Sequence, residues 1–343
     1  MFRFASGLVV PVHDAYGGPP PLTPLRMLTA WEFNPWLIAG IVAAAALYVV
    51  ALVRLRRRGD RWPVWRAVSF LGLGLGSVLY VTCGALGVYD GTLFSAHAVQ
   101  HIVLMTVVPV FLGLGAPVTL FLRTWRRRPR GALLGVLRSA PVRVLHFPPV
   151  GLALYVASPF ALYFTGWYEA TLRNPVLHEV QHLLFLGLGV AFLWPILGLD
   201  PVPGRVPYPL RLLLVFVSMP FHAFLGIAIM GGDSLIAGDY YAAVGRTWGA
   251  SPLSDQSTGG AILWASGDLV ALLLVAALGV QWMRADEREA AREDRRLDRL
   301  EAARTAASVA PAGVSPRGDV GGAPPVQAER FLTATVRNQY RRF

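Results

Sequence analysis

The chain has no lysine and a single cysteine, Cys83. One thiol excludes an intrachain disulfide and any Cys-x-x-Cys site. All 31 basic residues are therefore arginine, set against 20 acidic ones. The resulting net charge of +11 invites a nucleic-acid reading, yet charged residues are only 15% of the chain and most arginines flank apolar segments. Membrane topology imposes that pattern, so nucleic acid is not expected as a partner. No cleavable signal peptide is evident either, because the polar, proline-rich HDAYGGPPPLTP precedes the first apolar run.

What is present in excess is apolar sequence, 55% of 343 residues. Uncharged runs of about 18 or more residues recur, the length a helix needs to cross a bilayer. The reading is an all-α, polytopic membrane protein whose lipid partner is the bilayer itself. Seven transmembrane helices are expected, at about 36–53, 67–88, 94–122, 149–165, 176–199, 210–230 and 260–283. The second and third are joined by the short YDGTL and form a hairpin. Residues 132–147 carry Arg138 and Arg143 among Leu and Val, too polar to span, and are expected to lie at the interface.

Arginine counts give the direction. RLRRRGDRWPVWR and RTWRRRPR hold eleven arginines and DPVPGRVPYPLR two more, whereas the loops on the other side hold two. The N-terminus is therefore expected outside and the C-terminus in the cytoplasm. Three regions follow: an external segment 1–35, a membrane domain 36–283, and a cytoplasmic region 284–343. The last opens as a charged, solvated helix and continues as a disordered tail, in which ERFLTATVRNQYRRF is basic.

Four of the seven histidines fall in two pairs, His97 and His101 in SAHAVQHIVLM, His178 and His182 in LHEVQHLLFL. A spacing of four stacks both rings on one helix face. Polar residues inside a bilayer are costly and mark function by default. Counted from the outer ends of their spans, the pairs lie at matched depth in the outer half of the membrane. His222, Met219, Asp268 and Cys83 fall in the same layer. Imidazole suits copper, zinc and iron, and thiolate or thioether ligands favour reduced copper. The set is thus compatible with a metal site, copper being the cofactor it suits. Interhelical hydrogen bonding is the other reading for each histidine. Asp268 either balances charge in the site or makes a polar helix contact. Glu179 points about 100° away from His178, so a shared ligand role is not expected of it. Trp36, Trp167 and Trp264 fit an interfacial aromatic belt.

Four segments in order resemble the CtaG family of bacterial cytochrome c oxidase assembly factors: HAVQHIVLMTVVPVFLGLGAP, HEVQHLLFLGLGVAFLWPILGLDP, PFHAFLGIAIM and PLSDQSTGGAILW. The resemblance covers roughly residues 30–285 and leaves out the charged tail. It implies a multi-pass protein of the bacterial plasma membrane, not itself an enzyme. Such a protein helps mature a haem–copper oxidase, at a copper-loading step, with oxidase subunits or other copper chaperones as partners. By position His97, His101, His178, His182, Asp255, Gln256, Gly259, Gly260 and Trp264 correspond to the family pattern.

Three other functions compete with this one. A di-metal desaturase or hydroxylase typically carries adjacent histidines on the cytoplasmic side, and no His-His pair occurs. A haem-binding cytochrome would take one imidazole from each of two helices. A metal or proton transporter would need polar residues continuing toward the cytoplasm, and few are found there.

Overall fold

The computed structural model describes residues 16–309 apart from Arg205, and every regular element among them is helical. The seven principal helices are α1 (Pro35–Arg57), α2 (Val64–Tyr89), α3 (Phe94–Thr124), α4 (Pro148–Tyr163), α5 (Pro175–Leu197), α6 (Tyr208–Met230) and α7 (Pro252–Val309). Six are long and apolar enough to span a bilayer alone, and a seventh span results if α4 is joined to Trp167–Arg173, bent from it by 70°. Leu183, Phe216, Phe224, Leu272 and Leu273 point outward. Backbone polar groups satisfied within helices, wrapped in exposed apolar side chains, suit lipid and not water. The chain is a multi-pass membrane protein.

Local sequence explains the ends. Asn174 caps α5, its side chain accepting from the amides of Val176 and Leu177 at 2.9 and 3.3 Å, with Pro175 in the first turn. Gly198 closes the helix in the left-handed region, φ +63°. Asn34 and Pro35 open α1 in the same way.

α3 and α5 lie inside the bundle: 61% and 56% of their apolar windows are buried, against 11% for peripheral α1. α3 is not a regular helix. It widens into a π-type turn at Val103–Val107 and breaks at Ala116, a non-glycine residue at φ +47°. Pro109, with no amide hydrogen, disturbs the ladder from within. Side chains of neighbouring helices donate to carbonyls of the stretch that follows: Trp194 to Pro109 at 3.0 Å, Ser69 to Phe111 at 2.8 Å, and Tyr48 to Gly115 at 2.8 Å.

The last span begins at Pro252, eight residues before the expected 260. Its first turn reads as loop because Ser, Asp and Gln dominate it, but those groups are used on another helix. Asp255 accepts from the amides of Phe94 and Ser95 at 2.7 and 3.4 Å and from the Ser95 hydroxyl at 2.5 Å, capping α3. Gln256 holds the preceding loop, accepting from Ile236 at 2.7 Å and donating to Ser234 at 3.1 Å. Gly259 packs on the Phe94 ring, and Gly226 and Gly260 bring α6 and α7 together. The other end of α3 is tied likewise. Asp200 accepts from the Thr119 amide and hydroxyl at 2.8 and 2.7 Å.

The stretch expected at the interface forms two helices, Arg127–Arg138 and Ala140–Leu145, neither burying a residue. Packing divides the chain into Met1–Ala285 and Asp286–Phe343. In the second unit the charged helix is exposed as far as its side chains are described. The expected disordered tail, its basic end and the first fifteen residues of the external segment lie outside the described residues.

Candidate metal centre

Each histidine pair starts on the fourth residue of its helix, His97 in α3 and His178 in α5. Equal register and adjacent helices bring the pairs face to face at one end of the bundle. Within pairs the ring centroids are 3.8 Å (His97–His101) and 4.5 Å (His178–His182) apart, and His97 to His178 is 5.5 Å. His97 is fully buried, and His101 and His182 are nearly so.

Asp90, in the four-residue connector between α2 and α3, closes the cluster. Ligand atoms of Asp90, His97 and His178 all lie within 4.8 Å of one another. Asp90 Oδ2 is 3.5 Å from His178 Nε2, an electrostatic contact too long for a good hydrogen bond. Burial pushes the Asp90 carboxyl up to about 7, opposed by the charge of His182 and the hydrogen bond from Gln100.

The remaining polar contacts sort the rings into held and free nitrogens. Gln100 is a buried strut, donating to Asp90 at 2.9 Å and to the Val81 carbonyl at 2.8 Å while its oxygen meets His182 Nε2 at 3.0 Å. His101 Nδ1 meets the Tyr163 hydroxyl at 3.1 Å. Both nitrogens of His97, Nε2 of His101 and His178, and Nδ1 of His182 are buried without a hydrogen bond among the described residues. Glu179 lies 3.5 Å from His182 Nδ1 and accepts from Asn34 at 2.7 Å, tying the start of α1 to α5.

Unpaired buried imidazole nitrogens cost free energy, about 1–3 kcal/mol each by mutational data. A cation beside them removes that cost. Four-coordinate sites with bonds of about 2 Å space their ligand atoms some 3–4 Å apart, so modest ring rotation converts this grouping into a coordination shell. The residues present therefore fit a metal ion. They offer imidazole and carboxylate, a set suited to divalent copper, zinc or iron.

The other candidates stand apart from that grouping. His222 Nδ1 faces its own helix, 3.0 Å from the Ser218 carbonyl, and its ring packs 5.5 Å from Tyr155. It meets the cluster only across a cavity of about 20 Å³ that His101 also lines. Cys83 is buried with its sulfur 3.7 Å from the Thr82 hydroxyl. Met219 packs on the apolar core. Asp268 follows Gly267, which abuts His222, and one of its oxygens is buried without a hydrogen bond among the described residues.

Sequence reading missed Asp90, Gln100 and Gln181. The first looks like any polar turn residue. The glutamines had a signal, since both pairs sit in the same pentapeptide, His-x-Val-Gln-His, at 97–101 and 178–182. Gln181 is buried with neither side-chain polar atom paired among the described residues.

No solved structure matches the chain. Among curated proteins it is similar to uncharacterised proteins of Mycobacterium bovis and Mycobacterium tuberculosis, each 39% identical over 294 residues, and of Mycobacterium leprae, 38% identical over 294 residues. These alignments cover 84% of this chain but only 44% of each relative, so the chain spans less than half their length. Residues 46–285, which hold both histidine pairs, Asp90 and the Asp255 cap, match the family described as cytochrome c oxidase caa3 assembly factor. The chain belongs to that family, Caa3_CtaG.

Proposed function

We propose that this protein is a membrane assembly factor for a haem–copper cytochrome c oxidase and holds copper at Asp90, His97 and His178, with His101 and His182 beside them. The observation that carries the reading is His97, fully buried with both ring nitrogens unpaired and ligand atoms of Asp90 and His178 within 4.8 Å. Cys83 and Met219 stand outside the cluster, so the donors are nitrogen and oxygen, which favour the divalent ion over the reduced one. A bound ion would be held for transfer to oxidase subunits or a copper chaperone, and no catalysis is assigned to the chain.

The test is metal content and electron paramagnetic resonance of the full chain, purified and loaded with Cu(II). One copper per chain with nitrogen hyperfine structure is expected, and loss of most of it in His97→Ala and in Asp90→Asn. His101→Ala and His182→Ala should each weaken binding, and the double change should add little if the site is shared. In cells, deleting the gene should leave oxidase polypeptides present with lowered copper and activity. Unaltered copper in His97→Ala would end the ligand assignment.

A second reading has its own observation. His101–Tyr163 and His182–Gln100 are interhelical hydrogen bonds that hold α3 against its neighbours. On that reading the same variants lose thermal stability and no copper is bound by the parent chain.

A further inference from the structure

Away from the histidines, one face of α1 lines three cavities in succession. Leu37, Ile41, Ala44, Tyr48, Ala51 and Arg54 recur at spacings of three and four and so share that face. The cavity at the start of α1 is about 760 Å³ and apolar, and it shares Ala44, Phe70 and Pro117 with the next, of about 220 Å³. One turn past Ala51 the character changes. A cavity of about 530 Å³ is lined by Arg54, Arg57, Arg58 and Arg126, with Trp125 and no carboxylate.

Those guanidinium groups are unequally used. Arg58 donates to the carbonyls of Arg123 and Thr124 at 2.8 and 3.0 Å, and Arg54 lies over the Trp125 ring at 4.3 Å. Neighbouring Asp60 is taken by Arg123 at 3.4 Å. The side chains of Arg57 and Arg126 have no hydrogen bond or ion pair among the described residues. Four positive charges around one cavity repel one another unless an anion joins them.

We propose that this cleft is a binding site for an anionic phospholipid. The phosphate sits among Arg54, Arg57 and Arg126, and the acyl chains follow the α1 face past Ala51 and Ala44. Guanidinium forks match phosphate oxygens in pairs of hydrogen bonds. From Arg54 to Ala44 is about 15 Å along the helix, half of a hydrocarbon core about 30 Å thick. That is the depth of one leaflet. Basic pockets between membrane helices are where anionic headgroups are held. A free phosphate would use the arginines but leave the apolar groove idle.

The test is native mass spectrometry of the full chain, delipidated in detergent and titrated with phosphatidylglycerol or phosphatidylcholine of the same chain length. Phosphatidylglycerol should be retained at least about tenfold more tightly, because it carries the net negative charge that phosphatidylcholine lacks. Arg57→Gln with Arg126→Gln should abolish that preference, and neither side chain has a hydrogen bond or ion pair among the described residues to lose. Arg127→Gln with Arg128→Gln, outside the cavity, should keep it. Ala44→Trp should weaken the long-chain lipid and spare the dihexanoyl form. Three results would overturn the proposal: no preference in the parent chain, equal loss in the Arg127/Arg128 control, or displacement of the lipid by millimolar inorganic phosphate. The last would mean a soluble-anion site.

Discussion

Asp90 brings a buried carboxyl against the histidine cluster, 3.5 Å from His178. Its carboxyl titrates near 3.8 when free and is pushed up to about 7 in the fold, chiefly by burial. Between those values the folded, metal-free protein keeps a proton that the unfolded chain gives up. The contribution of Asp90 to stability therefore falls as pH rises through that window and levels off above it. In detergent and without metal, the melting temperature of the parent minus that of Asp90→Asn is expected to be smaller at pH 8 than at pH 5, every other titrating group being common to both proteins. An equal difference at the two pH values would mean that the retained proton is not on Asp90. At this scale the sequence was half legible. Four histidines at helical spacing announce themselves, because intramembrane imidazole is rare. Asp90 and the Gln100 strut do not, since their importance comes from partners 88 and 82 residues away in sequence, His178 and His182.

The centre keeps its shape because α5 presses hard on the irregular part of α3. A Cβ on Gly189 would run into the Met105 carbonyl oxygen and come within 2.6 Å of the Pro109 ring. Backbone cannot step aside as a flexible side chain can, so Gly189→Ala should destabilise the bundle by about 1–3 kcal/mol. Gly187, on the same helix with nothing within 4 Å, is the control. Gly187→Ala should be neutral or slightly stabilising through helix propensity. Equal melting shifts for the two variants would mean that this contact does not limit the packing. Elements were largely legible, since long uncharged runs fix where the helices lie. The π-type turn at Val103–Val107 was not, because the donors that satisfy the neighbouring carbonyls are side chains of α1, α2 and α5. Nor was the early start of α7, whose polar first turn makes sense only once α3 stands beside it.

Across the whole molecule the two ends of the bundle differ in kind. Arginines gather where α1 and α3 end, and Asp90 with the histidine pairs lies toward the opposite end of α3. We infer from that asymmetry an arginine-rich face in the cytoplasm and a histidine centre near the outer surface. A reporter fused at Arg128 should be cytoplasmic and one fused within residues 233–257 external. An external Arg128 would reverse both assignments. The Asp255 cap sets an order of assembly. Phe94 and Ser95 at the head of α3 wait for a carboxylate 161 and 160 residues later in the chain. During synthesis α3 and α5 enter the membrane before α7 exists, with the histidine pairs on board but their helix start unsecured. The histidine cluster is thus completed only after α7 is made, and a ribosome-bound chain stalled before Pro252 has both histidine pairs yet lacks the carboxylate that secures the head of α3.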